Sequence, residues 1–207
     1  RGAAGTQPLS ATQSGGEVTV GTVTIALNGN FVQIGGIIGK ITFDSGAATL
    51  NQTGGTITNA VFAHGLGGLV TVKTLTSNLV VEGNLTVSIV EGDDDVRADT
   101  SVRTIFLRGN FTHTQGRFGS GNSNLILAFT GDQGDAAPHL ITQSGGTFYA
   151  QIRLDNPNET VNLASSFTIL SDGFGTGSLS ILGPSSTPVA GTADNTTKFN
   201  ALTSTLT

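Results

Sequence analysis

Three neighbouring carboxylates, Asp93-Asp94-Asp95, follow Gly92 and form the densest acidic cluster of the chain. A hard cation such as Ca²⁺ takes several oxygen ligands, so this run is the candidate metal site and calcium the candidate cofactor. Neither the EF-hand spacing nor the Gly-Gly-x-Gly-x-Asp calcium repeat surrounds it. The plainer expectation is a solvated turn between two strands, and Asp132 and Asp135 read the same way. His64, His113 and His139 are far apart, and no two have metal-ligand spacing. His113 shares strand parity with Phe111, which predicts an inward ring paired with a backbone group.

Cutting an acidic polysaccharide needs carboxylates and a basic residue converging on one groove. Arg97, Arg103, Arg108, Arg117 and Arg153 are present, but no acidic constellation accompanies them in the sequence. Arg153 and Asp155 share a strand face and read as a surface pair. No Gly-x-Ser-x-Gly elbow occurs, and no catalytic residue is assigned. Asn51, Asn84, Asn110, Asn158 and Asn195 each begin an Asn-x-Ser/Thr sequon and are candidate glycan acceptors. Ladders of Thr and Asn on a flat β-face bind ice or sugars when Thr-x-Thr rows are regular; Thr22-Val23-Thr24 stands isolated in the sequence.

The elements that would hold these residues are legible in the composition. Only 11% of the 207 residues are charged, against roughly 25% in ordinary globular domains. Thr, Ser, Asn and 30 Gly replace the charge, and all four disfavour helix interiors. Hydrophobic residues still make up 37%, enough to expect a core rather than disorder. The net charge of −5 and nine scattered basic residues oppose nucleic-acid binding. Cys is absent, which excludes disulfides and thiolate chemistry. No apolar run approaches the ~20 residues of a membrane span. With no Met and an opening at Arg1, the chain reads as a mature secreted segment whose targeting peptide is gone.

Repetition is the most informative signal. Gln13-Ser14-Gly15-Gly16 recurs as Gln33-Ile34-Gly35-Gly36, as Gln52-Thr53-Gly54-Gly55 and as Gln143-Ser144-Gly145-Gly146, with a partial copy at Gln115-Gly116. The first spacings are 20 and 19 residues, and self-similarity at that period marks a solenoid in which each repeat is one coil. Asn28-Gly29-Asn30-Phe31 also matches Arg108-Gly109-Asn110-Phe111. Residues from about 21 to 90 therefore read as a diverged duplicate of about 101 to 182, with an 11-residue insertion near Gly131 to Pro138. Between repeats, Val23, Ile25 and Leu27 alternate with small or polar residues, and Leu79, Val81, Gly83, Leu85, Val87 and Ile89 keep one parity. Period two means one buried and one exposed face.

The predicted fold is all-β: a parallel β-helix (β-solenoid) with coils of about 20 residues. The alternative is a β-sandwich of two duplicated Ig-like units. The expected organisation is a flexible N-terminal arm over 1–14, the solenoid over 15–183 and a Ser/Thr-rich tail or exchanged strand over 184–207.

Leu79-Val80-Val81-Glu82-Gly83-Asn84-Leu85-Thr86-Val87, Leu107-Arg108-Gly109-Asn110-Phe111-Thr112-His113-Thr114-Gln115-Gly116 and Thr142-Gln143-Ser144-Gly145-Gly146-Thr147-Phe148-Tyr149 resemble the repeats of bacterial surface proteins. The style is that of filamentous-haemagglutinin adhesin solenoids, over roughly residues 12 to 182. The resemblance implies an extracellular or cell-surface location and a role in adhesion or matrix building, without catalysis. Open coil ends imply self-association into a homopolymer or docking to a neighbouring module. Glycans are the other expected partner class. A carbohydrate-binding or polysaccharide-cleaving β-helix and a viral or phage fibre segment are the competing readings.

The assigned parity is testable. Leu85→Asp places a charge inside the coil and is expected to cost at least several kcal/mol, whereas Thr86→Asp leaves the melting temperature within a few degrees. Equal shifts at both positions would contradict the parity.

Overall fold

The computed structural model describes residues 9–18, 22–26, 29–44, 47–63, 71–89, 94–120, 124–130, 138–154, 160–170, 178–181 and 198–200. Among them there is no helix, and hence none long and apolar enough to cross a membrane. All strand pairing is parallel.

The chain winds as a three-faced β-solenoid, which decides between the two predicted folds. The first coil contributes β1 (Leu9–Gln13), β2 (Glu17–Val18) and β3 (Val23–Ala26). Next come β4 (Gly29–Gln33) with the long β5 (Ile37–Asp44), and β6 (Ala48–Gln52) with the long β7 (Thr56–Ala63). The following coils carry β8 (Val72–Leu75), β9 (Leu79–Val81) and β10 (Leu85–Ser88), then β11 (Asp95–Ala98), β12 (Arg103–Leu107) and β13 (Phe111–Gln115). After these run β14 (Arg117–Phe118), β15 (Leu125–Phe129) and β16 (His139–Gln143), then β17 (Thr147–Phe148), β18 (Gln151–Leu154) and β19 (Thr160–Leu163). The last strands are β20 (Ser178–Ile181) and β21 (Lys198–Asn200).

The first face is the sheet β1-β4-β6-β8-β11-β14-β17. The other sheet bends along β5 and β7 into a second and a third face. β7 shows the bend directly: Ile57 pairs with Val81 of β9, while Ala60 to Ala63 pair with Leu85 to Ser88 of β10. The alternating run from Leu79 to Ile89 is thus two strands, broken at the Glu82–Asn84 corner, with the inward parity kept through it.

Inward side chains fill the coil. Phe43 stacks on Phe62 at 5.3 Å, and Phe118 stacks on Phe148 at 5.2 Å, which in turn meets Phe167 edge-on at 4.9 Å. Such offset and T-shaped contacts add to the burial of large apolar area. Each coil alone exposes its inner face, so the core exists only by stacking.

The Gln-x-Gly-Gly repeats are corner devices. Gln13, Gln33 and Gln52 form an internal amide ladder: Gln33 Nε2 donates to Gln13 Oε1 at 3.0 Å, and Gln52 Nε2 to Gln33 Oε1 at 2.9 Å. Gln33 is fully buried and also reaches the carbonyls of Gly36 and Thr56. The ladder ends where Gln52 Oε1 accepts from Val80 N–H at 2.6 Å and its own N–H donates to Ser77 Oγ. Gly55, the second Gly of its motif, has φ +84°, and a Cβ there would lie 2.8 Å from Gln33 Nε2. Only Gly meets both demands.

Gln143 repeats the Gln52 pattern: its N–H donates to Ser165 Oγ, its Oε1 accepts from Thr168 N–H and its Nε2 reaches the Gly146 carbonyl. It does so at a different corner, between the third and first faces. The same displacement separates the other matched copy, since Gly29-Asn30-Phe31 begins on the first face and Asn110-Phe111 leads into the third. The partial copy aligned on Gln115 is corrected by the register. His113 pairs with Gln143, and Gly116 has the φ of +83° that Gly146 shares as +76°, so His113 occupies the Gln position.

Leu9–Gln13 lies inside the stretch expected as an arm and pairs with β4. Lys198–Asn200, in the stretch expected as a tail, pairs with β19 of the same chain. The loop expected to hold the insertion lies outside the described residues except Pro138, and the coil step that spans it is 30 residues, from Asn110 to Leu140.

Replacing Gln33 by Leu removes the amide that joins three coils and leaves buried partners unpaired. A loss of roughly 2–4 kcal/mol is expected in denaturant unfolding, against less than ~0.5 kcal/mol for the outward Val32→Thr.

Candidate functional site

Two of the three clustered carboxylates depart from the expected solvated turn. Asp94 and Asp95 are both fully buried; Asp93 lies outside the described residues. As neighbours in extended chain they point to opposite sides. Asp94 accepts from the Thr71 N–H. Asp95 accepts from Ser120 Oγ at 2.6 Å and from Arg97 Nε at 2.9 Å. Among the described residues no three His, Asp or Glu side chains gather to hold a metal ion. Burial raises the Asp95 carboxyl above the usual range, opposed by the Ser120 and Arg97 contacts.

A lysine joins this interior. Lys73 lies on the inward row of the first face, between Ala48 and Val96 of the adjoining coils, with no exposed surface. Its Nζ donates to Thr71 Oγ1 at 2.9 Å. Burial lowers its affinity for a proton, and the Asp94 and Asp44 carboxylates act in the opposite sense. Nothing in the sequence marks Lys73 as buried except its parity with Leu75, and Lys is almost never fully buried without a compensating group.

Three of the arginines have acidic partners that the sequence does not display. Arg97 bonds Asp95, Arg103 holds Asp99 through Nε and Nη2 at 2.8 and 2.6 Å, and Arg108 reaches across one coil to Glu82 at 2.6 Å. These are structural pairs spread along the rod rather than one groove. Arg153 sits on β18 opposite Ala128 and Ser180; its expected partner Asp155 lies outside the described residues.

His113 faces inward, as its parity predicted. Its Nε2 lies 3.2 Å from the Gly116 carbonyl, among the rings of Phe111, Phe118 and Phe148. Burial lowers its pKa to about 4. His139 contacts the Gly109 carbonyl through Nδ1 at 2.9 Å and packs on Phe129. His64 lies outside the described residues.

Two of the sequon asparagines build a corner ladder. Asn59 Oδ1 accepts from Asn84 N–H, Asn84 Oδ1 from Asn110 N–H, and Asn110 Oδ1 from Leu140 N–H, each at 2.9 Å. Asn51 is half-buried on the outer side of β6. Asn158 and Asn195 lie outside the described residues.

This ladder edges a regular outward row. On the third face Thr24 pairs with Thr42, Thr42 with Val61, Val61 with Thr86, Thr86 with Thr112 and Thr112 with Thr142. All six point outward, between inward neighbours such as Ile41 and Phe43 or Leu85 and Val87. Thr24 thus heads a single row that the sequence, with steps that vary from coil to coil, does not display, while the Thr-x-Thr pair recurs beside it only at Thr112-His113-Thr114.

The His113 titration carries a sign. Its folded value of about 4 lies below the ordinary 6.5, so the unfolded chain binds the proton first. Stability is complete above pH ~6.5 and declines as pH falls towards 4, by about 3 kcal/mol. Asp95, whose folded value is raised, changes in the opposite sense. The readout is thus the difference between wild type and His113→Gln, the residue at the paired position: their melting temperatures should diverge in the variant's favour between pH 6.5 and 4.

Comparison with protein-family models, curated proteins and solved structures finds no match for this chain.

Proposed function

We propose that the chain is a non-enzymatic structural or adhesive module of an extracellular surface, a stiff rod that joins end to end with further copies or with a neighbouring module. The carrying observation is the pairing at the two ends. Among the described residues β1 pairs only with β4, β2 and β3 only with β5, β20 only with β18 and β21 only with β19. An edge strand offers unpaired N–H and C=O groups to another strand. A head-to-tail contact that does not close generates a filament.

The interior supports a load-transmitting role. Side-chain ladders at Gln13, Gln33 and Gln52 and at Asn59, Asn84 and Asn110 tie coil to coil beside the backbone bonds. The low charge and Thr/Asn-rich exterior accord with the surface-protein style of the repeats.

Negative-stain electron microscopy over a concentration series tests the reading. Uniform filaments that lengthen with concentration are expected. Single particles at every concentration would remove the polymer and leave a spacer module.

A further inference from the structure

We propose that the third face is an ice-binding surface, centred on the outward row Thr24, Thr42, Val61, Thr86, Thr112 and Thr142. The inference is independent of end-to-end assembly.

The first argument is periodicity. Directly paired residues of parallel strands repeat at the strand spacing, about 4.7–4.9 Å. Water oxygens along the a axis of hexagonal ice repeat at nearly this distance. A row in register therefore meets an ice plane rung after rung, and the register of this row is unbroken from β3 to β16.

The second is chemistry. Each Thr offers a methyl and a hydroxyl side by side. No hydrogen bond to another described residue occupies the side-chain hydroxyls of Thr24, Thr42, Thr86, Thr112 or Thr142, unlike Thr49 and Thr76 on the first face, whose Oγ1 atoms bond Asn30 and the Leu50 carbonyl. Free hydroxyls can order a layer of water that bridges to the lattice. Val61 keeps the shape of Thr and lacks only the hydroxyl. The row carries no charge to hold liquid water; Lys40 and Asp44 flank it in one coil alone. Beside it the Asn84 and Asn110 ladder adds amides at the same rung spacing.

The third is rigidity. Side chains between the row positions, among them Ile41, Phe43, Phe62, Leu85, Val87, Phe111 and Ile141, are locked in the core. The row enters the contact already ordered, so little entropy is lost on binding. A crystalline polysaccharide is the competing solid, but sugar rings seek aromatic platforms. The half-buried described rings, Phe106 and Tyr149, belong to the second face and to the turn after β17, not to this row.

The test is partition into a slowly grown ice hemisphere, with an inert protein of similar size in the same solution. The wild-type chain is expected to enter the ice and the inert protein to be rejected. Thr86→Tyr/Thr112→Tyr puts bulk on this row at outward, strand-tolerant positions. It should lower incorporation about tenfold with an unchanged melting temperature, while Val61→Thr should raise incorporation. Rejection of the wild-type chain from ice, or equal incorporation of a folded double variant, would overturn the proposal. Binding to crystalline cellulose or chitin together with rejection from ice would overturn it in favour of a polysaccharide surface.

Discussion

Every coil of this protein is held to the next by hydrogen bonds that no coil can make for itself. A strand two to eight residues long has no partner within its own turn, so its amides and carbonyls must be met by the coils on either side. The corners present the same demand in a sharper form, because there the backbone turns away from the sheet and its polar groups face inward. Gln13, Gln33 and Gln52 answer it with side-chain amides that bond both the local corner carbonyl and the next coil. At Gly36 and Gly55 the amide of the preceding coil, Gln13 or Gln33, takes the space a Cβ would need, whereas at Gly16 only the positive φ calls for Gly.

The same rule governs charge and titration inside the coil. The buried charged groups have partners: Asp95 with Ser120 and Arg97, Asp94 with the Thr71 amide, Lys73 with the Thr71 hydroxyl. His113 shows what the corner position requires. It replaces a glutamine, keeps a contact to the corner carbonyl and loses its affinity for a proton among three phenylalanine rings. A neutral ring can stand in for an amide, whereas an imidazolium would be a buried charge.

Outside the coil the constraint runs in reverse. Fixed coil contacts turn chain periodicity into lattice periodicity, so residues with no relation in sequence become a straight row at strand spacing. Such a surface suits partners that are themselves periodic and stiff, or further copies added at the ends. Discrete ligands need concave pockets with converging groups, whereas Arg97, Arg103 and Arg108 are drawn into separate pairs along the rod.

The sequence by itself determined the all-β class, with a solenoid favoured, and the inside and outside of the runs from Val23, from Leu79 and at Phe111 and His113. Period-two alternation depends only on the backbone, and Gln-x-Gly-Gly at 19 and 20 residues is a local corner signal, so both could be read directly. The inward face of His113 was legible for the same reason. Stacking was not, because parity says whether a residue faces in or out and nothing about which residue lies above it. Coil steps of 19, 20, 25, 26 and 30 residues shift the alignment each time a loop absorbs an insertion. Only the tertiary structure therefore decided that Thr24 heads a row, that His113 takes a glutamine's place, and that two carboxylates of an apparent surface turn lie buried with separate partners. The reason is physical: register is set by hydrogen bonds between coils, while the sequence records only the order within each one.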